Sequence, residues 1–266
     1  MTGHGAGLGG ATPPDPPAPP LSPAERAVRL AVYRTFAGQG QPPSVAELAA
    51  QTGLPGAEVR AALRHLHKAH AIVLTPAGDA VRMAHPFSAA PMGFVVTAEG
   101  RGPAGYAGDR MWWGGCAWDS FGIGAALGEP VGIRTLCPGC GRTLELDAGQ
   151  AGPPGQDLAV HLPRPARRWW DDVVGTCLNI RLFCSPAHVD AWAQSGPHPV
   201  GQVIPAAVMW RLAQVWYGDR LDPDWSPRPA ADAQRLLEQC GLTGEFWRLP
   251  QSPSASGNVC PVGGAA

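Results

Sequence analysis

Cys116 and Asp119 stand three residues apart in Gly114-Gly115-Cys116-Ala117-Trp118-Asp119, and a second thiol, Cys177, stands in Thr176-Cys177-Leu178-Asn179-Ile180-Arg181-Leu182-Phe183. On a helix the first spacing puts thiol and carboxylate on one face. Two soft thiolates with one hard carboxylate suit a specific chemistry, in which a thiophilic metal is gripped while a proton is delivered beside it. Gly114 and Gly115 permit close approach at the start of a helix, where the helix N-terminus favours the thiolate form of Cys116. Trp112, Trp113, Trp118 and Phe121 supply an apolar wall that can receive an organic group and exclude water.

These residues need a scaffold, and the pattern predicts an α+β chain in two parts. Ser22-Pro23-Ala24-Glu25 and Ser44-Val45-Ala46-Glu47 each open a helix with a capping box. A third helix runs from Pro55 to about His70, with Val59, Leu63 and Leu66 inward. Ile72–Leu74 and Ala80–Met83 follow as a two-stranded wing around a turn at Pro76–Asp79. Residues 21–83 thus read as a winged-helix-like three-helix domain. Residues 84–250 read as a mixed α/β domain with mainly antiparallel strands. Its strands include Phe94–Val96, Met111–Trp113, Val131–Leu136, Thr143–Leu146 and Leu158–Leu162. Its helices are Cys116–Leu127, one opening at Ser185-Pro186, Ala206–Tyr217 and Ala230–Cys240. The apolar run Val173–Phe183 reads as a strand entering a turn. Residues 1–20 and 251–266 are Gly/Pro-rich and read as flexible tails.

Composition narrows the function classes. The 266 residues are 45% hydrophobic and only 15% charged, with 35 glycines and 30 prolines. A formal net charge of -1 provides no general drive toward nucleic acid or anionic membrane. No apolar run reaches the roughly 18 residues a membrane helix needs, and residues 1–20 do not read as a signal peptide. A cytoplasmic location follows as the expectation. There the seven cysteines stay reduced and free for metal or redox work.

The cysteine segments, Cys116-Ala117-Trp118-Asp119 and Thr176-Cys177 through Phe183-Cys184-Ser185, resemble those of the organomercurial (alkylmercury) lyase family. That family joins a winged-helix-like N-terminal domain to a C-terminal α+β domain, and the resemblance covers roughly residues 21–200. It implies that Cys116 and Cys177 are mercury-binding thiols. It implies that Asp119 is the proton donor and a transient ligand, and that Cys137 is the family's structural cysteine. The implied reaction is protonolysis of a carbon–mercury bond to hydrocarbon and Hg(II). Hg(II) is then held as product by Cys116, Asp119 and Cys177. No organic cofactor is implied. The implied partners are an organomercurial, low-molecular-weight thiols that remove Hg(II), and a downstream mercuric reductase. The stretch from about Val200 to Leu249, rich in aromatics, looks longer than the family's usual C-terminus. It reads as an active-site cap or a dimer contact.

Other candidates have plainer readings. Cys137-Pro138-Gly139-Cys140-Gly141 is a CxxC knuckle without a second CxxC, so it reads as a structural turn, with zinc or thiol relay as alternatives. Cys184 and Cys240 read as core residues, and Cys260 as incidental. Arg167-Arg168-Trp169-Trp170-Asp171-Asp172 reads as a polar turn with anchoring aromatics. His85 reads as a satisfied linker residue at the domain junction. Arg60, Arg64, His65, His67 and Lys68 lie on the third helix, but their charge density is modest, so a packing role is expected there rather than nucleic-acid binding. Two other functions stay open. One is a metal- or thiol-responsive regulator whose winged helix reads DNA. The other is a divergent family member with another thiophilic or a non-mercurial substrate.

Overall fold

A computed structural model describes residues 20–98, 110–149, 152–153, 157–199 and 201–250. Apart from Pro20, the two Gly/Pro-rich ends, and Cys260 with them, lie outside the described residues. The elements in chain order are α1 (Pro23–Gln39), α2 (Val45–Thr52), α3 (Gly56–Lys68), β1 (Val73–Leu74), β2 (Val81–Ala84), β3 (Phe87–Ser88), β4 (Phe94–Ala98) and β5 (Met111–Gly114). Then come α4 (Ala117–Leu127), β6 (Val131–Leu136), β7 (Thr143–Ala148), β8 (Ala159–Leu162), a 3-10 turn (Ala166–Asp172), α5 (Val173–Asn179) and β9 (Arg181–Phe183). The remainder is α6 (Pro186–Gln194), β10 (Gln202–Pro205), α7 (Ala206–Tyr217), α8 (Ala230–Gln239) and a short 3-10 turn at Glu245–Trp247. The architecture is α+β, with antiparallel pairing throughout the described strands.

Both capping boxes form. Ser22 Oγ accepts from Glu25 N at 3.2 Å while Glu25 Oε2 accepts from Ser22 N at 2.7 Å; Ser44 and Glu47 repeat the arrangement. Each reciprocal pair satisfies two of the amides a helix start leaves open. Val28, Val32, Phe36, Leu48, Val59, Leu63 and Leu66 are all buried in the core. They give the three helices their common apolar interior.

The wing does not stand apart. Strand order in the large sheet is β1-β2-β3-β5-β4-β6-β7, so the hairpin β1–β2 continues directly into the strands that precede α4. Side chains also fasten the helical part to the rest. Tyr33 on α1 donates to Ala71 O at 3.0 Å and to His85 O at 3.1 Å. Trp112 on β5 donates from Nε1 to Phe36 O at 3.0 Å and Ala37 O at 3.2 Å. Trp112 therefore ties β5 to the end of α1. Arg29, buried on α1, donates to Arg220 O and Asp222 O, and its guanidinium lies 4.0 Å from the Trp225 ring centroid. Burial lowers its pKa to about 10, so it remains a cation at neutral pH. The segment after α7 thus wraps back onto α1.

A second sheet, β10-β8-β9, stands beside the first, and β9 approaches β6. Val173–Asn179 forms a helix rather than the expected strand. The β-branched Val173 and Val174 favour a strand locally. Asp172 overrides them as N-cap, accepting from Gly175 N at 2.9 Å. Thr176 Oγ1 donates to Asp172 O at 2.7 Å and strengthens the first turn. Only Arg181–Phe183 is strand.

Candidate active site

Cys116 is the N-cap of α4, and its Sγ accepts from Asp119 N at 3.4 Å. Sulfur takes the place that Ser22 and Ser44 oxygens take in α1 and α2. The reciprocal arm of a capping box is not made here, because the Asp119 carboxylate turns into the protein. Its Oδ1 accepts from Tyr217 OH at 2.6 Å, and its Oδ2 lies 3.2 Å from His85 Nδ1 and 3.8 Å from Cys177 Sγ. Cys116 and Cys177 lie close enough to perturb each other's thiols. All three sequence candidates, Cys116, Asp119 and Cys177, are buried and meet at one place.

Four elements make that meeting. Strand β5 ends at Gly114, and the chain turns through Gly115 into α4. A Cβ at Gly115 would stand 2.5 Å from both Asp119 Oδ2 and Met83 Cε, so the turn has no room for a side chain. The first helical amide, Ala117 N, donates to Ile180 O at 3.2 Å. This bond docks the α5–β9 junction onto the start of α4 and brings Cys177 with it. Helix α7 packs along α4, where Gly122 leaves space for the Tyr217 ring. His85 arrives from the junction after β2.

The electrostatics differ from the expectation of a thiolate at the helix start. Burial, the Cys177 hydrogen bond and the Asp119 charge all push the Cys116 thiol well above the ordinary range. These effects outweigh the amide of Asp119, which pulls the other way. At Cys177 the Cys116 hydrogen bond lowers the pKa, but burial and the Asp119 charge win and raise it. Burial and Asp119 also push Tyr217 well up, so its phenol is a proton donor to the carboxylate. Both cysteines rest as thiols, each carrying a proton next to a carboxylate. Arg181 is the nearby cation: burial lowers its pKa, and the electrostatic influence of Cys116 raises it.

Of the aromatic candidates, Trp118 is buried in a cluster with Trp169, Trp216 and Tyr217 at centroid distances of 5.3, 5.2 and 5.6 Å. Phe121 is buried in the core and Trp113 is half-buried on β5. Trp170 stacks on His70 at 4.0 Å and meets His85 edge-on at 6.0 Å. The Arg167–Asp172 turn therefore does more than anchor. It sends Trp169 to Trp118, sends Trp170 to His85, and caps the helix of Cys177.

His85, Tyr217 and Arg181 are the site residues that sequence reasoning passes over. His85 is no inert linker, since Nδ1 faces Asp119. Its Nε2 is buried without a hydrogen-bond partner among the described residues. A Tyr217→Phe variant removes one donor from Asp119 while keeping the ring on Gly122. Loss of a hydrogen bond to a charged group costs roughly 1.5–3 kcal/mol. The expected result is a fold retained in near-ultraviolet circular dichroism with reduced single-turnover chemistry.

Residues 87–218 match the family model for alkylmercury lyase, and residues 24–71 match that for the IclR helix-turn-helix domain. The C-terminal part of the chain is thus similar to the alkylmercury lyase family. Among solved structures, the mercury-bound form of MerB2 is similar, with a TM-score of 0.56 over 77% of this chain and 92% of that one. The identity is 20%, so that likeness is one of fold. No curated protein matches the chain. The lyase match contains Cys116, Asp119 and Cys177 and ends just after Tyr217. His85 falls between the two matched regions. No helix among the described residues is long and apolar enough to cross a membrane.

Proposed function

We propose that the chain is an organomercurial lyase that cleaves carbon–mercury bonds by protonolysis. One observation carries this reading: within a lyase-family domain, the buried Asp119 carboxylate borders two protonated thiols, 3.8 Å from Cys177 Sγ and with its own amide on Cys116 Sγ. A soft R–Hg⁺ species is captured by sulfur. Cys116 displaces the outgoing thiol or anion X from R–Hg–X, and its proton leaves with X as HX. Cys177 then passes its proton to Asp119 and adds a second sulfur to mercury. The added sulfur raises electron density on the mercury-bound carbon. Asp119 delivers its proton to that carbon, and R–H departs. Hg(II) stays on the two sulfurs beside a regenerated carboxylate. Two solvent thiols remove it and return both cysteine protons.

The raised thiol pKa values fit this sequence, because the protons consumed by the reaction are stored in the resting site. Tyr217 and His85 hold the two carboxylate oxygens and act as positioning residues for Asp119. The Trp118 cluster keeps the site dry, so that proton delivery is not short-circuited by water. The reading needs no organic cofactor.

The test is incubation of reduced protein with phenylmercury acetate and excess thiol, with benzene quantified by gas chromatography. Multiple turnovers are expected from the parent chain and none from Cys116→Ser or Cys177→Ser. A parent that is folded, binds the mercurial and releases no benzene, with methylmercury also inert, would sink the proposal.

A second reading rests on the IclR-type match and on the exposed Arg60, Arg64 and Lys68 of α3. A mercury-responsive regulator would bind its own promoter region in a metal-dependent way and hold mercury stoichiometrically. Turnover separates the two.

A further inference from the structure

The isolated CxxC of the sequence has partners in the fold. Cys137 and Cys140 occupy the turn between β6 and β7. Cys184 follows β9, and His188 lies in the first turn of α6. Ligand atoms of all four lie within 4.8 Å of one another. The Cys184 sulfur is 3.5 Å from Cys137 Sγ and 3.6 Å from Cys140 Sγ, and His188 Nδ1 is 2.7 Å from Cys184 Sγ and 4.0 Å from Cys137 Sγ. We infer that Cys137, Cys140, Cys184 and His188 form a structural zinc site, distinct from the Cys116–Asp119–Cys177 site and built to hold the two sheets together.

The chemistry of the donors selects the ion. Three sulfurs and one imidazole nitrogen are a donor set for zinc, and four protein ligands leave no open coordination position. Zinc–sulfur bonds of about 2.3 Å in a tetrahedron put sulfurs about 3.8 Å apart, close to the observed spacing. A disulfide would need about 2.05 Å, and all these cysteines are free. Mutual hydrogen bonding is a poor alternative reason for the cluster, because thiols are weak donors and weak acceptors.

The local backbone is shaped for the same end. Cys137 N donates to Arg142 O at 2.9 Å and Gly141 N to Cys137 O at 2.8 Å, which folds the knuckle tightly. Gly141 takes φ +73°, a left-handed conformation that suits glycine. Gly139 lies against α6 so closely that a Cβ there would stand 2.2 Å from His188 O. Knuckle and helix are fitted to each other with the four ligands between them. On binding, the three thiol protons go to solvent and Zn²⁺ takes their place. The ion ties the β6–β7 turn of the large sheet to the end of β9 in the small one. The other end of that short strand leads back to Arg181 and Cys177.

The experiment is metal analysis of the full chain, purified under reducing conditions without chelator or histidine tag. About one zinc per chain is expected. Cys140→Ser and His188→Ala should lose most of it, whereas Cys177→Ser, which breaks the other thiol site, should keep it. Cobalt exchange of the parent protein gives a readout independent of variant folding. Tetrahedral Co(II) with three thiolates should show sulfur-to-metal charge transfer in the near ultraviolet and intense visible bands. Retention of zinc in Cys140→Ser and His188→Ala, loss in Cys177→Ser, or a folded parent that takes up neither zinc nor cobalt would each overturn the assignment.

Discussion

Asp119→Asn is expected to slow hydrocarbon release by orders of magnitude while leaving mercurial capture intact. The amide keeps the volume of the carboxyl group and can still accept from Tyr217 OH through its oxygen, the bond that measures 2.6 Å to the native Oδ1. The fold should therefore survive. What is lost is the carboxylate that lies 3.8 Å from Cys177 Sγ, and with it the proposed carrier of the Cys177 proton to carbon. Positioned general acids contribute about 10²–10⁴-fold to rate, and a drop in that range is predicted for benzene release from phenylmercury. Native mass spectrometry should still show one organomercurial per chain, because Cys116 is untouched. A variant that turns over within about threefold of the parent would remove Asp119 from the chemistry, since a general acid contributes far more than that.

The second large effect is structural and reaches the same carboxylate from behind. At Gly122 on α4, a Cβ would stand 2.1 Å from Tyr217 Cδ2 and 2.7 Å from Cε2, against the edge of a ring that is itself buried. Alanine would normally favour a helix interior over glycine by about 1 kcal/mol. Overpacking a closed site typically costs about 1–3 kcal/mol, occasionally more, because backbone and rings must shift. The clash is with a core ring rather than a flexible chain end, so destabilisation should win. Gly122→Ala should lower the thermal midpoint and, by displacing α7, pull Tyr217 off Asp119 and slow turnover. Gly38→Ala on α1 is the control, since its Cβ meets nothing within 4 Å and the site is exposed. It should match or exceed the parent's stability. Equal behaviour of the two variants would mean that the α4–α7 contact is looser than described.

What the sequence makes legible is local. Ser22/Glu25 and Ser44/Glu47 announce their helices within four residues, and alternating apolar stretches announce β4, β5, β6 and β7. The candidate trio is legible by residue type and by family resemblance, because Cys116 and Asp119 lie one helical turn apart. Its supports are not. Tyr217 meets Asp119 across 98 residues and His85 across 34. Nothing in their flanking sequence encodes either contact; packing of α7 on α4 and the course of the chain after β2 do. The helix of Cys177 escapes a strictly local reading because Val173 and Val174 outvote the Asp172 cap. Thiol character at Cys116 escapes it for a related reason. Sequence reveals the helix start but not the burial, nor the second thiol and carboxylate that keep the proton on. The knuckle at Cys137 looks incomplete for want of a second CxxC. Its other half, Cys184 with His188, is a Cys-x₃-His at a strand–helix junction, and only the approach of β9 to β6 joins the two. Trp112, close to Cys116 in sequence, gives its indole N–H to the carbonyls of α1, a contact that its neighbours in sequence do not reveal.

Phenylmercury turnover in deuterium oxide tests the central claim most directly. Both thiols and the carboxyl group exchange with solvent, so protonolysis in which they supply the hydrogen should yield monodeuterated benzene over many turnovers with excess thiol, read by gas chromatography and mass spectrometry. That product, lost in Asp119→Asn and in both cysteine variants, is the predicted result. A folded protein that binds one phenylmercury per chain and releases no benzene, or whose benzene output is unchanged by Asp119→Asn, would contradict it.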